Sequence, residues 1–142
     1  MTITDIVHDT TADWGRQSSA SEAVLSKLAL EAGCNLPNDY LNFLSQSNGG
    51  EGELGVQPGW FQLWEAENVI QFGVNYEVPK YAPGFFAFGS NGGGEILAFD
   101  IRNDAGRPIV ALPCIGLEPN EAMLVAANFA DFAAQMGRTF KE

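Results

Sequence analysis

The sequence predicts an α+β fold. Three observations carry it: helix-periodic segments towards both ends of the chain, strand-length apolar runs between them, and a glycine cluster joining two of those runs into a central hairpin. The hairpin spans Phe85 to Asp100. Its glycines enter positive-φ conformations without steric cost, so the chain can reverse there. A glycine-rich loop can also cradle a phosphate, but that use needs a following helix with free N–H groups, often with a lysine nearby. Here a strand follows, the first charge met is Glu95, and no lysine is present.

Taken in order, residues 1–17 are polar, lack sustained periodicity and hold the only histidine, His8. They predict a loose N-terminal arm, with Trp14 anchoring its end. Residues 18–142 read as a single domain, without repeat, low-complexity tract or linker. Ser19-x-x-Glu22 has the form of a capping box, opening a helix with Val24, Leu25, Leu28 and Ala32 on one face and Gly33 at its end. Leu36 to Leu44 begins a second helix, with Pro37 in its first turn and Tyr40, Leu41 and Leu44 inward. Asn48-Gly49-Gly50 ends it, and a loop containing Glu51 and Glu53 follows.

Trp60 to Trp64 alternates like a strand, Phe61 and Leu63 on one face, Trp60 and Trp64 on the other. Either a later element covers the two tryptophans, which the sequence favours, or they form part of a binding surface. Glu65 to Asn75 reads as a short helix with Val69, Ile70 and Phe72 inward, and Val78 to Gly84 as an irregular connection. After the hairpin come a turn from Arg102 to Pro108 and a strand from Ile109 to Ile115, with Pro113 marking an edge or bulge. Ala122 to Ala127 fits strand and helix alike. Asn128 caps a last helix with Phe129, Phe132, Ala133 and Met136 inward.

Composition bounds the function. The 142 residues are 46% hydrophobic, and no apolar run approaches the roughly 20 residues a bilayer crossing needs. The N-terminus lacks a basic region followed by an apolar one, so the cytoplasm is the expected location. Cys34 and Cys114 lack CxxC spacing and companion histidines; they read as small core residues, with a disulfide between them left open. Eighteen acids against seven bases give a net charge of −11. Such a surface repels nucleic acid and anionic membranes, and attracts a basic partner.

Catalysis fails on inventory first. Ser/His/Asp, Cys/His and zinc chemistry all need histidine in a rigid setting, and the one histidine lies in the expected arm. Asp100-x-Arg102-x-Asp104 has the look of a calcium loop, but Arg102 stands where a ligand oxygen is needed and Ala111 where the closing Glu should be. A carboxylate pair for glycoside hydrolysis could come from Glu51, Glu53, Glu65, Glu95 and Asp100, with Glu95 the best single candidate. The competing reading of Glu95 is a carboxylate accepting backbone N–H bonds from the glycine turn. From Leu36 to Asp104 there are nine acids and two bases, Lys80 and Arg102. Acids and aromatics together suit a basic protein partner, and Glu51, Glu53, Trp60, Trp64, Glu65 and Glu67 are the candidate contacts.

Three motifs agree in order and spacing with a known family: Leu36-Pro37 with Tyr40-Leu41-x-Phe43-Leu44 and Asn48-Gly49-Gly50; Phe88 to Glu95 leading to Ala98-Phe99-Asp100; and Phe129-x-x-Phe132. Over roughly residues 20–137 the chain resembles the SUKH superfamily, and within it the Smi/Knr-like branch named for fungal cell-wall-assembly regulators. The resemblance implies a mixed, mostly antiparallel sheet packed by helices. It also implies, for bacterial members, immunity proteins that bind and neutralise a toxin domain, frequently a nuclease; the alternative is a regulatory interaction module like the fungal relatives. It offers no catalytic residue, cofactor or metal site. Its shared positions, matched by Pro37, Asn48, Gly49, Gly50, Gly93, Gly94, Glu95 and Asp100, are expected to be structural turns and local hydrogen bonds.

Overall fold

Seven strands form one curled sheet in sequence order, and every ladder is antiparallel. The computed structural model describes residues 1–102 and 106–141. The α+β class is the one the sequence predicts.

The first seventeen residues are not a loose arm. Helix α1 (Ile3–Val7) opens with a reciprocal cap: Thr2 Oγ1 accepts from the Asp5 N–H, and the Asp5 carboxylate accepts from the Thr2 N–H. Strand β1 (Trp14–Arg16) forms one edge of the sheet. Ile3, Ile6, Val7, Ala12 and Trp14 are all buried. The Arg16 guanidinium donates to the carbonyls of Val7 at 2.6 Å, Asp9 at 2.8 Å and Ala12 at 3.1 Å, which supplies this short, turning backbone with partners. A five-residue helix is too short to register as periodicity, which is why the sequence reads as unstructured.

Helix α2 (Glu22–Glu31) is capped by Ser21, whose Oγ accepts from the Val24 N–H at 3.2 Å, and not by Ser19 as the capping-box spacing suggested. It ends after Ala32, and Gly33 follows at φ +72°. Pro37 sits in extended geometry as the cap residue of α3 (Asn38–Leu44), one place before the first turn. Tyr40, Phe43 and Leu44 are its buried face; Leu41 is half-buried. The expected loop after Gly49 is a strand, β2 (Gly50–Glu53), paired with β3 (Trp60–Leu63).

Between β3 and the central hairpin lie α4 (Val69–Asn75) and α5 (Val78–Tyr81). Helix α5 replaces the expected irregular connection, because Pro79 falls in its first turn, where the missing N–H costs nothing. The hairpin is as predicted: β4 (Phe85–Ser90) and β5 (Glu95–Asp100) pair from Phe85↔Asp100 to Ser90↔Ile96. Strand β6 (Ile109–Pro113) ends on its proline, beyond Ala111, the last residue paired with β7 (Met123–Ala126), so Pro113 sits on a locally open edge. The ambiguous segment after Ala122 is therefore a strand. Asn128 caps α6 (Phe129–Ala134), its Oδ1 accepting from the Asp131 N–H at 2.8 Å.

One sheet face is covered by α1, α3 and α6. Its centre is Tyr40, whose ring lies 5.5 Å from Phe88, 5.3 Å from Phe99 and 5.4 Å from Phe129 in edge-on geometry. Such pairs contribute about 0.5–1.5 kcal/mol each beyond area burial. The register steps from Ala87↔Ala98 to Gly89↔Leu97, so Phe88 is an extra residue in β4; it lies on the same face as Phe86, in this core, where it stacks on Phe99 at 4.3 Å. Phe85, Ala87, Ile96, Ala98, Val110 and Leu112 belong to a second cluster with Val78, Ala82 and Leu117. The β4–β6 half of the sheet is thus buried on both faces.

Candidate functional site

The β1–β3 half is built differently. In β2 the order Gly50-Glu51-Gly52-Glu53 alternates buried and exposed. Trp14 of the neighbouring strand lies so close that a Cβ on Gly50 would come within 2.7 Å of its ring, and one on Gly52 within 2.7 Å of its Cβ. Only glycine fits on that side. Glu51 and Glu53 consequently face out, opposite Gln62 and Trp60 of β3 in register. Trp60 remains 39% exposed, while Phe61 and Leu63 go under the helices.

Trp64, two residues past Gln62, follows the same outward direction and is held by α4. The Phe72 ring meets it edge-on at 5.4 Å, and Tyr76 stacks parallel at 5.8 Å. The sequence expectation of a covering element is met for Trp64; Trp60 keeps its exposure. A groove of about 330 Å³ runs between β3 and α4, lined among others by Glu51, Gln62, Trp64, Glu65, Asn68 and Phe72. Gln62 Nε2 donates to Glu51 Oε2 at 3.2 Å, and the Ser90 hydroxyl donates to Gln62 Oε1 at 3.4 Å. A polar chain therefore crosses three strands on this face. A larger hollow of about 560 Å³ beside Cys34, Pro37, Leu41 and Arg107 is lined by no acid among the described residues.

The six candidate contacts are not all together. Glu51, Trp64 and Glu65 share the groove, and Glu53 with Trp60 extends the same strand face. Glu67 lies elsewhere, in a small cavity of about 140 Å³ with Val24, Lys27 and Leu28. Asn48 explains its position: Asn48 Nδ2 donates to Glu67 Oε1 at 2.8 Å, and Asn48 Oδ1 accepts from the Ala66 N–H at 2.7 Å. The Asn48 hydrogen bond holds the Glu67 carboxyl below its ordinary range. Sequence reasoning missed Gln62, Asn68 and Gln17 as lining residues. Gln62 was within reach, since it shares the period of Trp60 and Trp64.

The motif positions have specific physical roles. Gly49 stands at φ +92°, and a Cβ there would come within 2.5 Å of the Leu63 carbonyl oxygen. In the hairpin turn the left-handed residue is Gly92, at φ +72°; Gly94 has open space where a Cβ would lie. Two backbone donors of the turn go to Asn91 Oδ1, which accepts from the N–H groups of Gly93 at 2.9 Å and Glu95 at 3.0 Å, while the Gly92 N–H donates to Ser90 Oγ at 3.2 Å. The Glu95 carboxylate accepts from Asn91 Nδ2 at 3.2 Å, a side-chain partner where the sequence suggested the glycine backbone. Asp100 accepts two bonds from the Arg102 guanidinium, Nε at 3.0 Å and Nη2 at 2.9 Å, and one from the Arg102 N–H at 3.1 Å, and this pairing lowers its carboxyl. Asp104, the third member of the calcium-like spacing and one of the nine acids counted between Leu36 and Asp104, lies outside the described residues. His8 is exposed at the end of α1. Cys34 and Cys114 are free, half-buried thiols pushed up by burial. Among the described residues no helix is long and apolar enough to cross a membrane.

An antiparallel sheet with helices over one face, and with Glu51, Glu53 and Trp60 outward on part of the other, defines a small α+β domain. The chain belongs to the SMI1 / KNR4 family (SUKH-1), whose family model matches residues 19–135. No curated protein matches it. Membership implies a role in protein–protein interaction in general terms.

Proposed function

We propose that this chain is a non-enzymatic immunity protein that binds the basic domain of a bacterial toxin, a nuclease being the kind best suited, and neutralises it stoichiometrically in the cytoplasm. The carrying observation is the outer face of β2 and β3, where Glu51, Glu53 and the exposed Trp60 stand in register and no Lys or Arg belongs to either strand. Aromatic anchors supply buried contact area, while clustered acids speed and orient encounter with a cationic surface. A nuclease is such a surface, because its own substrate is a polyanion. Two of the hydrolase carboxylates, Glu95 and Asp100, are engaged with Asn91 and Arg102, which favours the structural role for both.

The partner is captured from the native host, and its toxic domain is then co-expressed with the chain. Wild type restores growth, and the Glu51→Lys, Glu53→Lys, Glu65→Lys triple variant does not. In vitro the variant binds about tenfold more weakly or worse, with a shallower salt dependence. A partner without toxicity, or protection untouched by the triple variant, overturns the reading.

A further inference from the structure

We propose that the groove between β3 and α4 receives one arginine side chain of the partner. This deepens the immunity reading and rests on it for the identity of the partner, but the chemistry of the groove stands on its own residues.

The walls are of three kinds. One is the aromatic wall: Trp64 and Phe72 line the cavity, and Trp64 is locked in place by its edge-on contact with Phe72 and its stack on Tyr76. A cation held against such rings is attracted by their quadrupoles. A second is anionic: Glu51 and Glu65 lie in the lining, and no Lys or Arg does. The nearest basic residue in sequence, Arg16, spends its guanidinium on the carbonyls of Val7, Asp9 and Ala12. The third is amide: Gln17 and Asn68 also line the groove, and neither their side chains nor that of Glu65 have a hydrogen bond among the described residues. Gln62 is different, since its amide is spent on Glu51 Oε2 and Ser90. That bond orients the Glu51 carboxylate and leaves Oε1 to a ligand.

Size and shape narrow the occupant. About 330 Å³ is at the bottom of the range for small-ligand sites, which suits a single side chain and excludes a folded peptide. A guanidinium is planar and weakly hydrated and presents five donors in a fork, so it can lie along an aromatic wall while bonding carboxylate and amide oxygens at its edge. A lysine ammonium is compact, strongly hydrated and unable to stack. Charge, aromatic wall and unpartnered acceptors therefore converge on arginine.

The test uses the full chain and N-acetyl-arginine amide as probe, followed by backbone and side-chain amide NMR, with the lysine and citrulline analogues as comparisons. The arginine probe produces saturable shifts at Gln17, Gln62, Glu65 and Asn68. Binding weakens about tenfold or more in Glu65→Gln, a change at an exposed side chain with no hydrogen bond among the described residues, and in Glu51→Gln, which also shifts the Gln62 side-chain amide bonded to it. No saturable shift, or an equal response to the lysine or citrulline analogue, overturns the inference. The two proposals fail separately. Arginine binding with no toxin neutralised removes the immunity reading alone; neutralisation with no probe binding, and unaffected by Glu65→Gln, removes the groove alone.

Discussion

The two halves of the sheet follow opposite rules. Strands β4, β5 and β6 are buried on both faces and read as nearly continuous apolar runs, Phe85 to Phe88, Ile96 to Phe99 and Ile109 to Leu112. Strands β2 and β3 are buried on one face, and their residues alternate: glycine or large apolar groups inward, Glu51, Glu53, Trp60 and Gln62 outward. The difference teaches where change is tolerated. In the β4–β6 half most side chains are committed to packing, the exceptions lying at the strand ends, such as Glu95 and Asp100. In β2 and β3 the outward residues can change with little cost to the fold, which suits a surface matched to one particular partner.

Removing residues 1–17 is the harshest way to break the comparison, because the open half depends on them. It strips β1 from the sheet edge and takes Ile3, Ile6, Val7 and Trp14 from the core. Each such side chain contributes about 1.5–3 kcal/mol when buried, against a total stability of about 5–15 kcal/mol. The truncated chain is expected to lose its cooperative urea transition. A sharp transition at the wild-type midpoint would show that the open half stands without its edge.

A paired substitution measures the contrast within one sheet. Phe99→Ala, in the doubly buried half, is expected to cost about 3–5 kcal/mol in denaturant titration, since it removes a ring packed on Phe88, Tyr40 and Phe129. Trp60→Ala, on the open face, is expected to change stability by less than about 1 kcal/mol while weakening partner binding by about 2 kcal/mol. If Trp60→Ala destabilises as much as Phe99→Ala, the two halves are not distinct.

The legibility of these regions in the sequence follows the same division. The hairpin, the Asn128 cap and the inward face of α6 were readable because long apolar runs and local capping chemistry carry strong signals. Strand β2 was not: Gly-Glu-Gly-Glu has no apolar residue, and its glycines make sense only once Trp14, from a distant part of the chain, lies against them. Arm residues 1–17 escaped for a related reason, since Arg16 satisfies their backbone groups through contacts of seven to nine residues' separation at the longest. Of the site, Trp60 and the acids were visible by type, but the groove was not. Its walls come from β2, β3 and α4, and Glu67, grouped by type with the candidate contacts, is exposed elsewhere and bonded by Asn48.

A smaller effect of opposite sign comes from the covered face. The Tyr40 hydroxyl is buried with no hydrogen-bond partner among the described residues, and burial pushes its ionisation upward. An unsatisfied buried hydroxyl costs about 1–3 kcal/mol, partly offset by the contacts its oxygen makes. Tyr40→Phe keeps the ring contacts and is expected to stabilise the fold by about 1 kcal/mol. A loss of stability would mean that the hydroxyl has a partner after all, and that the covered face is less purely apolar than the ring geometry implies.

The smallest effect lies at the rim of the doubly buried half, where Asp100 of β5 pairs with Arg102 at 2.9 Å. Arg102 lowers the Asp100 carboxyl in the folded state, chiefly through its side-chain hydrogen bonds. With the folded value depressed, the stabilisation is complete above the unfolded carboxyl value of about 3.9 and disappears as pH falls through the folded one. The Asp100 side chain is 13% exposed and that of Arg102 58%, so solvent screening keeps the contribution at or below about 1 kcal/mol. Asp100→Asn is therefore expected to flatten the acid limb of stability below about pH 4 and to leave its shape at neutral pH unchanged. The measurement is the urea midpoint followed from neutral to acid in both proteins. Parallel curves would place the acid sensitivity in other carboxylates and make the rim pair an ornament of the hairpin rather than a support for it.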